Sequence, residues 1–546
     1  MAEGSHTDDG RLHVDLVDAG RLPPLPAAFL AGDDRDLLAP LTFLAPGDDA
    51  PAAPPATPDR SALAAALATA NRSYGHPKAE ELAARLADPE TRVVVTGQQA
   101  GLFAGPLYTL SKALAAARWA AKLEADGQKA VAVFWVATED HDWDEASTAT
   151  VLTHQGPLTV DLGDDPEPLT PTGMRSLGPG VADALAELRE AMPGERYEGW
   201  LERVAGWYRP DARFGEAFCR LMVGLLGERC PLLLDSMLPA VKTAQRPWLA
   251  RLVERRHEVE AAYAAADAEI EGRGHPLQVH PQRGVSPLFL LRDGERRRIA
   301  WAAGEDGEEM ARFELRGSER GPRPVEELLE TVAENPLAVS PGVLARPAIQ
   351  DAVLGTSLFV LGPGELSYLP QVAPLYRVLE IPPPAVTLRP QMLVLEAHQI
   401  DKLDEVGLTL AELMSDDDAL EGILAARSGG ELTGEAKARI AAILDELEAP
   451  ALDLDPNLER PLGKTRDNVL GALDAFAGKV RSSAARRDEV TAGRVAKLRG
   501  NVLPEGKPQE RLVSSLHYHG KYGDEFADAA WEQLGLDGRV LQVVTP

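Results

Sequence analysis

Between residues 92 and 137 the apolar positions change period three times. Residues 92–96 form a β-branched run that ends in a glycine-bearing loop, 97–105. Leu107, Leu110, Leu114, Ala117 and Ala121 then recur at spacings of three and four, one apolar face of a helix opening at Pro106 and closed by Gly127. Residues 130–137 are continuously apolar and bounded by charge, which suits a strand buried on both faces of a parallel sheet. Strand, loop, helix and strand predict a βαβ unit.

Shorter apolar runs at 232–234, 288–291 and 358–361 predict further strands, separated by helical stretches such as 211–226 and 240–266. Ala/Leu-rich helices are expected at 61–70 and 78–87. Residues 1–60, with a Pro/Ala stretch at 46–58, read as an extended lead-in laid on the core. The economical fold class is α/β, a parallel sheet with helical insertions. After about residue 390 the strand-like runs stop. Ile440, Leu444 and Leu447 share one face, as do Val469, Leu473, Phe476 and Val480, and no proline occurs between Pro461 and Pro504. A helical hairpin or short coiled coil fits, although Gly471, Gly478 and Gly493 weaken it by up to ~1 kcal/mol each. Trp531 and the apolar tail 540–544 predict that the C-terminus packs back. The expected domains are therefore a core at 1–390, a helical domain at 391–505 and a returning segment at 506–546.

Composition narrows the classes. The 546 residues are 45% hydrophobic and 26% charged, which excludes wholesale disorder and implies several domains. With 56 Lys+Arg against 85 Asp+Glu the net charge is -29, which argues against nucleic-acid or anionic-membrane partners. The N-terminus has no basic region leading into an apolar one, and the run at 130–137 is far short of the ~20 residues that span a bilayer. Two cysteines, Cys219 and Cys230, are too few for a disulfide scaffold or a zinc site. A reducing cytoplasmic location is expected.

Ligands of open parallel sheets bind outside the carboxyl ends of the strands, and several unusual segments follow predicted strands. Gly97, Gln98, Gln99, Gly101, Gly105 and Tyr108 precede or open the long helix; their glycines allow close backbone approach and a helix N-terminus favours an anion. Ordinary turn glycines would give the same pattern. Residues 138–145 hold Glu139, Asp140, His141, Asp142, Asp144 and Glu145, five carboxylates around one imidazole. A histidine among carboxylates is expected to have a raised pKa, suiting proton transfer or the orientation of a polar substrate. The same segment could instead be a solvated loop in which Asp142 or Asp144 caps a helix, or a metal site, though no second histidine stands at ligand spacing. After the 358–361 run, Gly364, Glu365 and Tyr368 could take an amine or hydroxyl, and Arg346 upstream suits a carboxylate or phosphate clamp. Lys479, Arg481, Arg486, Arg487, Arg494, Lys497 and Arg499 read as a solvated basic face. His517 and His519 do not share a helix face, so zinc is not expected there; Tyr518 or Tyr522 with Lys521 could stack and hold a nucleotide.

The block from Val94 to Tyr108 and the run from Phe134 to Glu145 resemble the bacillithiol biosynthesis cysteine-adding enzymes, a family of cysteine ligases. Residues 340–351, 362–368 and 507–523 resemble that family's later blocks, in the same order. The resemblance implies a Rossmann-like core akin to class I nucleotidyl and aminoacyl transferases. It also implies an antiparallel coiled coil that makes a homodimer, and a reaction adding L-cysteine to the amine of glucosaminyl-malate in the last step of bacillithiol biosynthesis. Such a step needs an activated acyl group, normally through ATP or another nucleotide, with no metal beyond its magnesium. The loop at 97–108 stands where class I enzymes carry a His-Ile-Gly-His signature, which this chain lacks. On this reading Gln98, Gln99 and Tyr108 contact substrate or nucleotide, Asp140 and His141 orient the amine or shuttle its proton, and Arg346 holds a carboxylate. Two other readings stay open: a metal-dependent hydrolase built on Asp140, His141, Asp142 and Asp144, and a non-enzymatic coiled-coil scaffold.

Overall fold

The computed structural model describes residues 12–49, 58–305, 307–427, 434–487 and 489–546. Most of the Pro/Ala stretch lies outside them. Two compact units are present, one built on Leu395–Gly506 and the other on Asp15–Val394 with Lys507–Pro546.

The larger unit is organised on six strands, all parallel: β1 (Thr42–Leu44), β2 (Arg92–Gln98), β3 (Ala130–Val136), β4 (Leu232–Asp235), β5 (Thr356–Leu361) and β6 (Ala385–Leu388). Their spatial order is β1-β6-β5-β2-β3-β4. The continuous apolar run of β3 has a direct cause. Val131, Val133 and Trp135 enter one apolar cluster, while Phe134 and Val136 enter another on the opposite face. Four helices position the site: α1 (Leu107–Ala125), α2 (Pro239–Glu254), α3 (Arg346–Leu354) and α4 (Pro363–Val372). Leu107, Leu110 and Leu114 of α1 join the cluster on one face, and Val241, Leu249 and Leu252 of α2 join the other. The sheet is thus covered on both sides, as a parallel sheet requires.

Three expectations change. The lead-in contributes β1, paired with β6, rather than lying on a finished core. Residues 288–291 are a strand, but in a separate five-stranded antiparallel sheet that includes Val285–Arg292, Glu295–Ala302, Arg312–Leu315 and Val339–Pro341. The Asp293-Gly294 pair makes its tight turn, with both residues at positive φ. Strands also do not stop at residue 390, because Gln391–Val394 pairs in parallel with the C-terminal Val540–Val544. A short apolar run reports burial but not which sheet receives it.

In the smaller unit, a 29-residue helix, Glu459–Arg487, packs with Gly434–Glu446 and Asp417–Arg427. Ile440, Leu444, Val469, Leu473 and Val480 are half-buried, whereas Ile443, Leu454 and Phe476 are 55%, 84% and 58% exposed. Arg494 and Arg499 pair with Glu405 and Asp417 within this unit. The side chains of Arg481, Arg486 and Arg487 lie outside the described residues. No helix among the described residues is long and apolar enough to cross a membrane.

Candidate functional site

The strand order reverses between β2 and β5: the chain runs outward through β3 and β4, then returns to lay β5 and β6 on the other side of β2. At such a switch point the two following loops diverge and leave a crevice at the carboxyl edge. Register aligns the strand ends there, with Gln98 opposite Val136, Val136 opposite Asp235, and Leu361 opposite Leu388.

The crevice is built around a lysine in the wall of α1. Lys112 is buried, because α1 is enclosed on more than the one face its leucines predict; Ser111 and Ala115 beside it are buried too. Its ammonium donates to the Gly97 carbonyl at 2.7 Å and to Gln98 Oε1 at 3.0 Å, and pairs with Glu365 at 2.5 Å. Burial pulls the Lys112 ammonium below the usual lysine range. Although burial pushes the other way, Lys112 and Arg346 hold the Glu365 carboxyl below the usual range. Glu365 also accepts the Gly362 N–H at 2.8 Å, capping α4, and its other oxygen lies 4.0 Å from Arg346. Arg346 opens α3 and reaches Tyr368 at 3.5 Å; its Nη1 is buried without a hydrogen-bond partner among the described residues. Gln98 Nε2 donates to Tyr108 and to Glu145, both at 3.2 Å. The Tyr108 ring lies 5.8 Å from the Arg389 guanidinium, which makes a two-pronged pair with Glu510 at 2.7 and 2.8 Å.

Beyond β3 the chain turns through Thr138 and Glu139. Glu139 forms a buried ion pair with Lys242 of α2, and Thr138 bonds to Asp235. Asp140 and His141 then meet Arg296, from the antiparallel sheet. Its Nη1 lies 3.3 Å from Asp140 Oδ1 and 3.0 Å from His141 Nδ1, while Nε and Nη2 donate to Ser340 Oγ at 2.9 Å and the Pro341 carbonyl at 3.2 Å. This corrects the expected pKa. Burial and then Arg296 outweigh Asp140 and Asp142, so the His141 pKa is lowered. Nδ1 accepts from Arg296, which leaves neutral His141 with its proton on Nε2. Asp142 caps the helix Trp143–Ala146 by accepting the Glu145 N–H at 3.1 Å, and its carbonyl takes the Gln99 amide at 2.9 Å.

The predicted anion cradle at the start of α1 also changes. Pro106 is the cap rather than the first helical residue, and the Leu107 N–H donates to the Val513 carbonyl at 2.8 Å. Ser514 Oγ donates to the Phe103 carbonyl at 2.8 Å, so the C-terminal segment clasps this loop. Gly97 is required by packing: a methyl there would sit 2.7 Å from the Trp135 carbonyl. An added methyl at Gly364 meets nothing within 4 Å, whereas Gly105 has a positive φ of 65°. Lys521 lies near the end of Ser515–Tyr522, with its ammonium 5.5 Å from the Tyr522 ring, on a helix packed against Glu195–Trp207. His517 and His519 of that helix are buried, and His519 contacts backbone carbonyls of Ser515 and Leu225. No three His, Cys, Asp or Glu side chains among the described residues converge to hold a metal ion. Cys219 and Cys230 are buried free thiols.

Lys112, Arg296 and Lys242 were not expected from the sequence. A lysine inside a helix otherwise rich in Ala and Leu was the available sign of the first. The Asp-Gly turn before Arg296-Arg297-Arg298 was the sign of the second.

Fold and site together define a Rossmann-like α/β core with a charged crevice at its switch point, joined to a helical coiled-coil domain. Two family models match in that order, Bacillithiol biosynthesis BshC, N-terminal Rossmann-like domain, over residues 51–390 and Bacillithiol biosynthesis BshC, C-terminal coiled-coil domain, over 392–536. Relatives named "Putative cysteine ligase BshC" include that of Salinibacter ruber, 33% identical over 504 residues and covering 89% of each chain. That of Solibacter usitatus is 30% identical over 497 residues, covering 89% of this chain and 90% of its own. Among solved structures, a "putative arginyl t-RNA synthetase" of Campylobacter jejuni aligns with 84% of this chain and 98% of its own, at 10% identity and a TM-score of 0.24, too low to carry an argument. The chain belongs to the BshC family of bacillithiol biosynthesis and is an enzyme of the ligase class.

Proposed function

We propose that this enzyme joins the carboxylate of L-cysteine to the amine of glucosaminyl-malate, the last step of bacillithiol formation. The observation that carries the reading is Arg346 Nη1, a buried cationic donor with no acceptor among the described residues. An unmet buried donor costs about 1–3 kcal/mol, and a carboxylate ligand would offset it. Relatives named cysteine ligases over nearly the whole chain supply the substrate class.

In this reading Arg346 holds the cysteine carboxylate, while Asp140 orients the amine and draws off its proton as the C–N bond forms. Neutral His141 presents its Nε2–H as a donor rather than acting as a base. Gln98 is a positioning residue, since its amide already bridges Lys112, Tyr108 and Glu145. Glu365 and Tyr368 fix Arg346; Gln99, through the Asp142 carbonyl, holds the acidic turn in place. A carboxylate needs activation before an amine can displace its oxygen: ATP with magnesium is the proposed donor of a phosphoryl or adenylyl group to that oxygen, which leaves as phosphate or AMP when the C–N bond forms. Buried free cysteines suit a reducing cytoplasm. Exposed Ile443 and Phe476 on the helical unit support a homodimer, with light scattering of Phe476→Glu as its check.

The test incubates purified enzyme with L-cysteine, glucosaminyl-malate and ATP–magnesium and follows bacillithiol by mass. Product that disappears in Arg346→Gln is expected. No product with ATP or any other nucleoside triphosphate overturns the ligase reading.

A further inference from the structure

A cavity of about 510 Å³ opens beside Asp140 and His141, inside the larger unit and within the range of small-molecule sites. Its opposite wall is the antiparallel sheet, which contributes Phe289, Arg296, Arg298 and Arg316. The arginines differ sharply in how they are satisfied. Arg296 is buried, lies 3.7 Å over the Phe289 ring and is held by Asp140, His141, Ser340 and Pro341. Arg297 pairs with Glu295 and donates to the Arg316 and Gly317 carbonyls at 3.2 and 2.9 Å. Arg298 and Arg316 are exposed, and neither has an ion pair among the described residues.

Their placement is costly unless something else is present. The strands are in register with Leu315 opposite Ile299, and the Arg316 N–H donates to the Arg298 carbonyl at 2.9 Å. The two arginines therefore stand directly across the ladder from each other. Like charges in that position are destabilising. They do so in a chain of net charge -29, where carboxylates to neutralise them are abundant. Arg298 also lies 5.0 Å from the Phe289 ring, which limits how far it can swing away. Asp140 and Asp142 also line the cavity, with the Asp140 carboxylate 3.3 Å from Arg296. A cavity lined by unpaired guanidinium groups and by carboxylates fits a ligand that carries two carboxylates at one end and an amine at the other.

We propose that Arg298 and Arg316 hold the two carboxylates of the malyl group of the amine substrate, with Asp140 facing its amine. This rests on the ligase reading above for the identity of the substrate. It assigns selection of the dicarboxylate to residues outside the parallel sheet, 158 and 176 positions beyond Asp140 in sequence. Arg296 and Phe289 are the platform, and Arg297 pins the Arg316 backbone.

Isothermal titration separates this proposal from the ligase assay. Full-length wild type, Arg298→Ala and Arg316→Ala are titrated with glucosaminyl-malate and with the methyl glucosaminide that lacks the malyl group. Each variant is expected to bind glucosaminyl-malate at least about tenfold more weakly, with thermal unfolding unchanged or slightly raised and binding of the malyl-free glucosaminide unaltered. Arg298→Lys, which keeps the charge but not the planar fork, should recover part of the loss. Wild-type affinity in both alanine variants, or no binding of glucosaminyl-malate by the wild type, overturns the subsite. Arginine-dependent binding without bacillithiol formation would uphold the subsite while overturning the ligase reading.

Discussion

Two groups of cations lie on the larger unit, and their surroundings are opposite. Lys112 and Arg346 at the switch point are sunk into the protein beside Glu365, Gln98 and Tyr368. Arg298 and Arg316 on the antiparallel sheet are exposed, adjacent and unpaired among the described residues. A buried charge must be matched by the fold itself, because desolvation otherwise costs several kcal/mol. An exposed charge can wait for its counterion in solvent. Lys112 is thus part of the folded framework, Arg346 is matched on one side and keeps Nη1 for a ligand, and the second group is wholly available to a ligand. Substitutions should separate the two by which measurement they move.

The largest effect is expected at Lys112. In Lys112→Met, Glu365 keeps the Gly362 N–H at 2.8 Å but no cation nearer than Arg346 at 4.0 Å among the described residues, and the protein should lose about 3 kcal/mol of stability in a denaturant titration at neutral pH. Adding Glu365→Gln should restore most of it; a single variant as stable as the wild type would erase the contrast. Arg298→Ala and Arg316→Ala should move stability by no more than about 0.5 kcal/mol yet raise the KM for the amine substrate about tenfold at similar kcat. Equal losses of stability and affinity would mean that the exposed pair is framework too.

A third test concerns the floor beneath Arg346. Asp351 of α3 is buried and accepts from the Tyr376 hydroxyl at 2.5 Å, and burial pushes its carboxyl up to about 7. In the unfolded chain the same group titrates near ~3.9. The folded state therefore carries an extra proton between these values, and stability from this group is lost as pH rises through that interval. Asp351→Asn should remove this part of the pH dependence, seen as a flatter melting temperature from about pH 4 to 7. The smallest effect is at His141. Its NMR titration midpoint should fall below the ordinary ~6.5 and rise in Arg296→Gln, where burial persists but the facing cation is gone. A midpoint above the ordinary value in the wild type would refute the contact with Arg296.

Much of this site was legible in the chain, but unevenly. The 92–137 region announced its strand, loop, helix and strand because period and burial are local properties. The acidic turn was conspicuous through its composition. Its electrostatics were not, since the His141 pKa is lowered by burial and then by Arg296, 155 positions away on another sheet. The loop at 97–105 read as a cradle for anions, yet Val513 and Ser514, from more than 400 positions downstream, take its helix amide and one of its carbonyls. Arg346 was visible as an arginine between prolines, whereas its neighbour Lys112 hid in a helix that looked amphipathic.

The strand, loop, helix and strand of residues 92–137, the two-faced burial of β3, the helical character of the smaller unit and the family were determined by the sequence alone. Each depends on neighbours a few residues apart or on long ordered blocks. Tertiary structure decided which apolar runs join the parallel sheet, where the strand order reverses, and which charges are neutralised. Those outcomes depend on distance through space. A charge is stabilised by whatever group the fold brings within a few ångströms, and nothing in local periodicity records that partner.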